Sequence, residues 1–243
     1  MQLFTRDTTL ADVIHRNYLL IPVVNRFGVS LGFGEKTIRD VCRQHRIDVE
    51  FFLCIINVFS NERYFPEKKL MTFSPLTILE YLQKTHAYYR ETQIPVIEHQ
   101  LQQLLRRAGK RRNDLAVVRL FVLGYKKELL AHLDREERIT FPYIRKVYRM
   151  HQKTRVAVKT KMSVAYSMDT YEKEHNNVDE KLWDLKNILI KYLPGTVDDT
   201  IRNAMICEVF RLERDIRDHT RIEETILMPL VAEMETVLQR KRT

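Results

Sequence analysis

The chain is poor in glycine and proline, the residues on which folds rich in tight turns depend. It has six glycines and seven prolines among 243 residues. An all-β protein of this length needs many turns, and these two residues are the usual means of making them. The composition therefore disfavours an all-β fold and favours long helices.

Cysteine is also scarce. The chain has three cysteines, Cys42, Cys54 and Cys207, and none of them forms a Cys-x-x-Cys pair. An odd number without paired spacing argues against a disulfide framework and predicts small buried thiols in a reducing compartment. We therefore expect a cytoplasmic protein.

Long hydrophobic runs are missing as well. A membrane-spanning helix needs about 18 to 20 consecutive apolar residues, and no stretch approaches this length. The first residues, MQLFTRDTTLADVIHR, lack the apolar core and the small-residue cleavage site of a signal peptide. These absences predict a soluble protein without a membrane partner.

Positive charge is in excess, with 41 lysines and arginines against 32 acidic residues and a net charge of +9. The densest basic stretch, RRAGKRR at residues 106–112, contains a glycine and is typical of a solvated loop. An anionic partner is the alternative, because basic patches attract phosphate polymers. Residues 37–59 also have the rhythm of two helices around a turn, so DNA binding is a less favoured alternative.

Three regions follow one another along the chain. Residues 1–62 show short helical patterns, residues 63–74 are a polar linker, and residues 75–243 are long amphipathic stretches. Ser74 and Pro75 suit the N-cap and the first position of a helix. The sequence thus predicts a small helical N-terminal domain, a linker and a larger helical domain.

The larger region divides into four long helical stretches. They cover about residues 75–107, 114–149, 156–193 and 197–240. Pro95 predicts a kink in the first stretch, and Pro142 and Pro229 lie inside the second and fourth. Four long helices with short connections pack best as an up-down bundle, so we expect an all-α fold with a four-helix bundle.

One sequence pattern occurs twice. Residues 132–142, HLDREERITFP, and residues 219–229, HTRIEETILMP, both follow His-x-x-x-Glu-Glu-x-Ile-x-x-Pro. A helix turns about 100° per residue, so the first glutamate lies about 40° from the histidine and the second about 140° away. Each copy therefore offers one histidine and one glutamate in the same direction, and its second glutamate is expected to be a surface charge.

Each copy also has a histidine on the preceding helical stretch. His86 lies 46 residues before His132, and His175 lies 44 residues before His219. These spacings suit two helical hairpins. Each hairpin would bring one histidine opposite a His-x-x-x-Glu pair, which gives four imidazoles and two carboxylates in the bundle centre.

Such a cluster predicts a metal centre with six protein ligands. The predicted ligands are His86, His132, Glu136, His175, His219 and Glu223. Six ionisable groups in an apolar core are costly to bury unless metal ions satisfy them. Imidazole with carboxylate suits iron or manganese, and the lack of thiolates disfavours structural zinc. Two metals sharing six ligands would leave open positions for O₂, NO or water.

With these motifs the chain resembles the repair-of-iron-centres di-iron proteins, which carry a hemerythrin-like HHE cation-binding domain. The resemblance covers roughly residues 74–240 and includes the ITFP and ILMP ends of the two motifs. It implies two non-haem iron ions, with or without an oxo bridge, held by terminal histidines and by Glu136 and Glu223 as bridging carboxylates. It also implies iron–sulfur cluster repair or a nitric-oxide and oxidative stress response, with iron–sulfur proteins as partners.

The first region resembles the N-terminal domain of that family in the stretch VVNRFGVSLGFGEKTIRDVC, but it lacks the family's adjacent cysteine pair. Thiol chemistry is therefore not expected there. Besides a repair protein, whether or not it acts as an enzyme, two functional alternatives remain. One is a sensor in which O₂ or NO at the iron centre alters the contacts of the first region, and the other is an iron donor. A purely structural bundle and a homodimer are also open.

Overall fold

The computed structural model describes residues 2–108, 115–154, 178–193 and 198–240. Its regular structure there is helical, and the one β-type pairing among these residues is an isolated bridge between Thr9 and Thr37. The predicted all-α fold is confirmed for these residues. None of the described helices is both long enough and apolar enough to cross a membrane.

The N-terminal helices are short. They are α1 (Leu10–Arg16), α2 (Ile21–Arg26), α3 (Ile38–His45), α4 (Val49–Ser60) and α5 (Glu67–Leu70). Side-chain caps set their starts: Thr37 and Asp40 form a capping box at α3, and Asp48 accepts hydrogen bonds from two backbone N–H groups at the start of α4. These caps satisfy amide groups that the first turn of a helix leaves without partners.

The later helices are longer. They are α6 (Pro75–Tyr88), α7 (Ile94–Arg107), α8 (Ala116–Arg135), α9 (Phe141–Thr154), α10 (Val178–Tyr192), α11 (Asp199–Ile222) and α12 (Met228–Arg240). Among the described residues, three π-helical turns join consecutive helices: π1 (Tyr89–Gln93), π2 (Glu136–Thr140) and π3 (Glu223–Leu227).

Each π turn ends two residues before a proline, namely Pro95, Pro142 or Pro229. A proline inside a helix lacks an N–H donor, and its ring clashes with the carbonyl four residues earlier. In the π turn a backbone hydrogen bond instead spans five residues, such as the bond from the Phe141 N–H to the backbone carbonyl oxygen of Glu136. At Pro95, where a kink was predicted, the structure has such a turn. Two of the three turns begin at predicted ligand glutamates, and π turns often mark functional sites.

The chain forms two compact units, and neither is continuous in sequence. The first comprises Met1–Thr85 and Asp218–Leu230, and the second comprises His86–Arg217 and Val231–Thr243. The division into regions at residues 62 and 74 stays a prediction.

The apolar helix α4 lies in the core of the first unit. Phe52, Ile55 and Ile56 are completely buried. The ring of Phe27 lies 4.8 Å from that of Phe52 and stacks on that of Tyr81 at 5.2 Å. Fully burying a side chain of this size stabilises a fold by about 1.5 to 3 kcal/mol, so this cluster fixes the first unit.

The second unit is built around one core to which four helices contribute. Its buried members include Leu101 and Leu104 of α7, Val118, Val122 and Leu129 of α8, Leu182, Leu185 and Leu189 of α10, and Met205, Val209 and Leu212 of α11. The core also includes Tyr89 and Leu133, close neighbours in sequence of the predicted ligands His86 and His132. Packing of this core therefore sets the rotation of the two helices that carry those histidines.

Candidate metal centre

The first His-x-x-x-Glu pair meets on one helix face as predicted. His132 Nε2 lies 3.0 Å from Glu136 Oε1. Both residues are buried, with 9% and 2% of their surface exposed. Glu136 is the first residue of π2, so the helix that carries His132 widens into the π turn at this glutamate.

His86 approaches the same carboxylate from another helix. Its Nε2 lies 3.2 Å from Glu136 Oε2, and its side chain is completely buried. The imidazole also stacks on the ring of Phe141, with centroids 5.1 Å apart and planes at 23°. Each oxygen of Glu136 thus faces a different histidine.

This donor set fits metal ions. Two donor atoms bound at about 2.1 Å and at right angles lie roughly 3 Å apart, close to both His–Glu separations. A carboxylate that offers one oxygen to each of two histidines is arranged as a bridging ligand would be. Two nitrogens and two oxygens without sulfur suit iron or manganese.

The second copy of the pattern repeats this local arrangement in the first compact unit. His219 and Glu223 are buried, and His219 Nε2 lies 3.7 Å from Glu223 Oε2. Glu223 opens π3 just as Glu136 opens π2. The separation is wider than in the first copy, but both side chains again lie on one helix face.

Five of the six predicted ligands thus lie in the part of the chain that the structure describes, and all five are buried. His175 lies outside the described residues. The full ligand set stays a prediction.

The buried carboxylate of Glu136 and the imidazole of His86 both have shifted pKa values. Burial alone would raise the pKa of Glu136, but hydrogen bonds from His132 and His86 hold it well below its ordinary value. Burial opposes charge on His86, yet its contacts with Glu136 and Glu137 outweigh burial and raise the pKa of its imidazole. Without a metal, a proton on His86 therefore compensates the charge of Glu136, and a metal cation would take over this role.

Glu137 differs from the prediction of a surface charge. Its Oε1 lies 3.2 Å from Nδ1 of His86, although its side chain is 37% exposed. The hydrogen bond with His86 lowers the pKa of Glu137. Arg90 forms ion pairs beside this contact: its Nη2 lies 2.7 Å from Asp134 Oδ1, and its Nε lies 3.9 Å from Glu137 Oε1.

This contact gives Glu137 a role that the sequence analysis missed. Histidines that bind metals commonly donate their other ring N–H to a carboxylate, which fixes the tautomer and the orientation of the ring. When a metal replaces the proton on Nε2 of His86, donation from Nδ1 to Glu137 would keep the Nε2 lone pair available to that metal. The rotation of Glu137 around the helix relative to His132 could not reveal this contact, because its partner His86 lies on a different helix.

Comparison with known proteins agrees with this geometry. The family model of the hemerythrin HHE cation binding domain matches residues 77–231, well over half of the chain and a range that contains all six predicted ligands. A search of curated proteins gave no significant match. The chain therefore belongs to the hemerythrin HHE cation-binding family, whose members bind metal cations, usually iron.

Proposed function

We propose that this protein is a non-haem di-iron protein. His86, His132, His175 and His219 would be the terminal ligands, and Glu136 and Glu223 the bridging carboxylates. One observation carries the proposal: Glu136 is almost completely buried, and each of its oxygens faces a different histidine at 3.0 or 3.2 Å. The repeated motif and the family match support extending this arrangement to the second half of the site.

Iron in this site would supply redox chemistry and open positions for small diatomic molecules such as NO or O₂. The protein's own residues would control that chemistry. Phe141 covers one face of the His86 ring, which limits the access of water on that side. Glu137 would keep the His86 imidazole in the tautomer that can bind a metal.

The physiological role that we favour is repair of iron–sulfur clusters, or a response to nitric-oxide and oxidative stress. The resemblance to the repair-of-iron-centres proteins supports this role. Iron–sulfur proteins as partners, a homodimer and a cytoplasmic location belong to the same proposal. Cys42, Cys54 and Cys207 are free thiols, which agrees with a reducing compartment. Cys42 and Cys54 are buried as expected, but Cys207 is exposed, contrary to the expectation for all three.

Metal content tests the centre itself. Protein produced with iron in the medium should contain about two irons per chain, and Glu136→Ala and Glu223→Ala should both lose iron. Thr140→Ser, a conservative change on the same π turn as Glu136, is the matched control. One zinc per chain, with no iron-dependent absorption after reconstitution with iron, would refute a di-iron centre.

The repair role has its own test. The iron-loaded protein should restore activity to an iron–sulfur enzyme damaged by nitric oxide, and the Glu136→Ala variant should not. Tight, reversible NO binding without recovery would instead indicate a sensor. Iron readily lost to mild chelators, with no redox chemistry, would indicate an iron donor.

A sensor is the second candidate, and the composition of the first compact unit favours it. The N-terminal helices share this unit with residues 218–230, which carry His219 and Glu223. A shift of His219 or Glu223 when O₂ or NO binds at the metal would therefore alter the packing of the N-terminal helices.

A further inference from the structure

Arg221 lies between the second pair of candidate ligands, two residues from His219 and two from Glu223. Its guanidinium carbon lies 3.9 Å from the centre of the Phe65 ring. Its Nη1 also donates a hydrogen bond of 3.3 Å to the backbone oxygen of Glu62. One side chain thus fastens this helical turn to residues far away in sequence.

Apolar packing lies next to this polar contact. Helix α5, which begins two residues after Phe65, packs against π3. Leu70 at the end of α5 is completely buried, as are Ile226 and Leu227 of π3. Close packing of this kind resists rotation, because a shifted side chain either clashes or leaves a void.

We propose that residues 62–70 are a positioning element for His219 and Glu223, so that metal binding and the packing of this segment stabilise each other. The proposal rests on the di-iron centre proposed above. The turn that Arg221 fastens also carries both ligands, so a rotation of the turn moves both donor atoms away from the metal. Segment 62–70 acts through its contacts with Arg221 and through the packing of α5 against π3.

Reciprocity follows from thermodynamic linkage. If the packed segment raises the affinity for metal by some factor, bound metal must favour the packed segment by the same factor. The first unit would then register whether the metal site is filled. This gives the N-terminal helices a physical connection to the site that requires no cysteine.

The chemistry of the contact indicates which substitutions will break it. A guanidinium is flat, so it can stack on an aromatic ring while one N–H reaches a carbonyl oxygen, whereas the ammonium group of lysine is compact and cannot do both. Loss of a partly buried cation–π contact corresponds to a factor of about five in affinity. Phe65→Ala and Arg221→Lys should therefore both weaken metal binding, and Phe65→Tyr should preserve it.

Iron release from the full-length protein to an excess of a strong chelator measures the effect. Phe65→Ala and Arg221→Lys should release iron about five times faster than the wild type. Phe65→Tyr should release it at the wild-type rate. Arg202→Ala is the matched control, because Arg202 lies on the same helix and pairs locally with Asp199. Release from Phe65→Ala and Arg221→Lys at the wild-type rate would overturn the proposal.

Hydrogen exchange of residues 62–70 provides a second readout that does not depend on activity. Iron should slow exchange in the wild type, and this protection should shrink in Arg221→Lys. Equal exchange with and without iron would overturn the linkage. If the wild type itself bound no iron, the di-iron centre would fail. If it bound iron while both variants behaved like the wild type, only the positioning role would fail.

Discussion

Replacing Glu137 with alanine should weaken metal binding even though Glu137 is not one of the predicted ligands. The substitution removes the carboxylate that lies 3.2 Å from Nδ1 of His86. Without this acceptor the imidazole can rotate, and it can adopt the tautomer in which Nε2 carries the proton. In that tautomer Nε2 has no lone pair to offer a metal.

The structure sets the expected size of the effect. Loss of an outer partner of a metal-binding histidine typically lowers metal affinity 10- to 100-fold. The Glu137 side chain is 37% exposed, so water can replace part of the lost hydrogen bond. We therefore expect the lower end of this range, a loss of about tenfold in metal affinity, which corresponds to about 1.4 kcal/mol of binding free energy.

Competition with a chelator of known affinity measures this change in the full-length protein. Glu137→Gln should retain much of the affinity, because its amide oxygen can still accept from Nδ1. Glu91→Ala is the matched control, since Glu91 is an exposed carboxylate only five residues after His86. Glu136→Ala should abolish binding by the first half of the site.

Two outcomes would refute this reasoning. Affinity of Glu137→Ala within about twofold of the wild type would show that His86 needs no outer partner. An equal loss in Glu91→Ala would show that the effect comes from removing acidic charge near the site and not from the contact with His86.

Three further predictions concern other groups. Metal binding needs a neutral imidazole, so affinity for metal should fall as the pH is lowered through the raised pKa of His86. The stability of the metal-free protein should change in the opposite direction. The contribution of His86 to that stability is fully present below its pKa in the unfolded chain and is lost as the pH rises through its raised pKa in the folded protein. Chelator competition and thermal melts across about pH 6 to 9 check both signs. Cys207 is exposed whereas burial raises the pKa of Cys42 to about 12, so alkylation of the native protein near pH 8 should modify Cys207 first, as peptide mass spectrometry would show. Tyr89→Phe removes a 2.7 Å hydrogen bond to Asp215 and should cost about 1.5 kcal/mol in the free energy of unfolding, measured by denaturant titration.

Local features of the site could be predicted from the sequence. The His132–Glu136 contact follows from helix geometry alone, because residues four apart lie one turn apart on the same face. The same argument paired His219 with Glu223. Composition and periodicity likewise predicted an all-helical chain, since both depend on the regular repeat of a single helix.

The prolines show where this local reasoning ended. The sequence analysis placed Pro142 and Pro229 inside helical stretches, but it did not predict that a π turn precedes each of them. A helix can respond to a proline by kinking, ending or widening. Each of these responses sends the following turn in a different direction. Packing against the neighbouring helices therefore selects among them.

Contacts between distant parts of the chain were decided by the tertiary structure alone. Glu137 was predicted to be a surface charge, yet it holds His86, which lies 51 residues earlier. Arg221 reaches Phe65 over an even longer stretch of chain. The repeat of a helix fixes the angle between its own side chains, but the rotation of one helix against another is set by how their apolar faces pack. The sequence by itself therefore determined which residues face the same way along each helix, and only the tertiary structure decided what they meet.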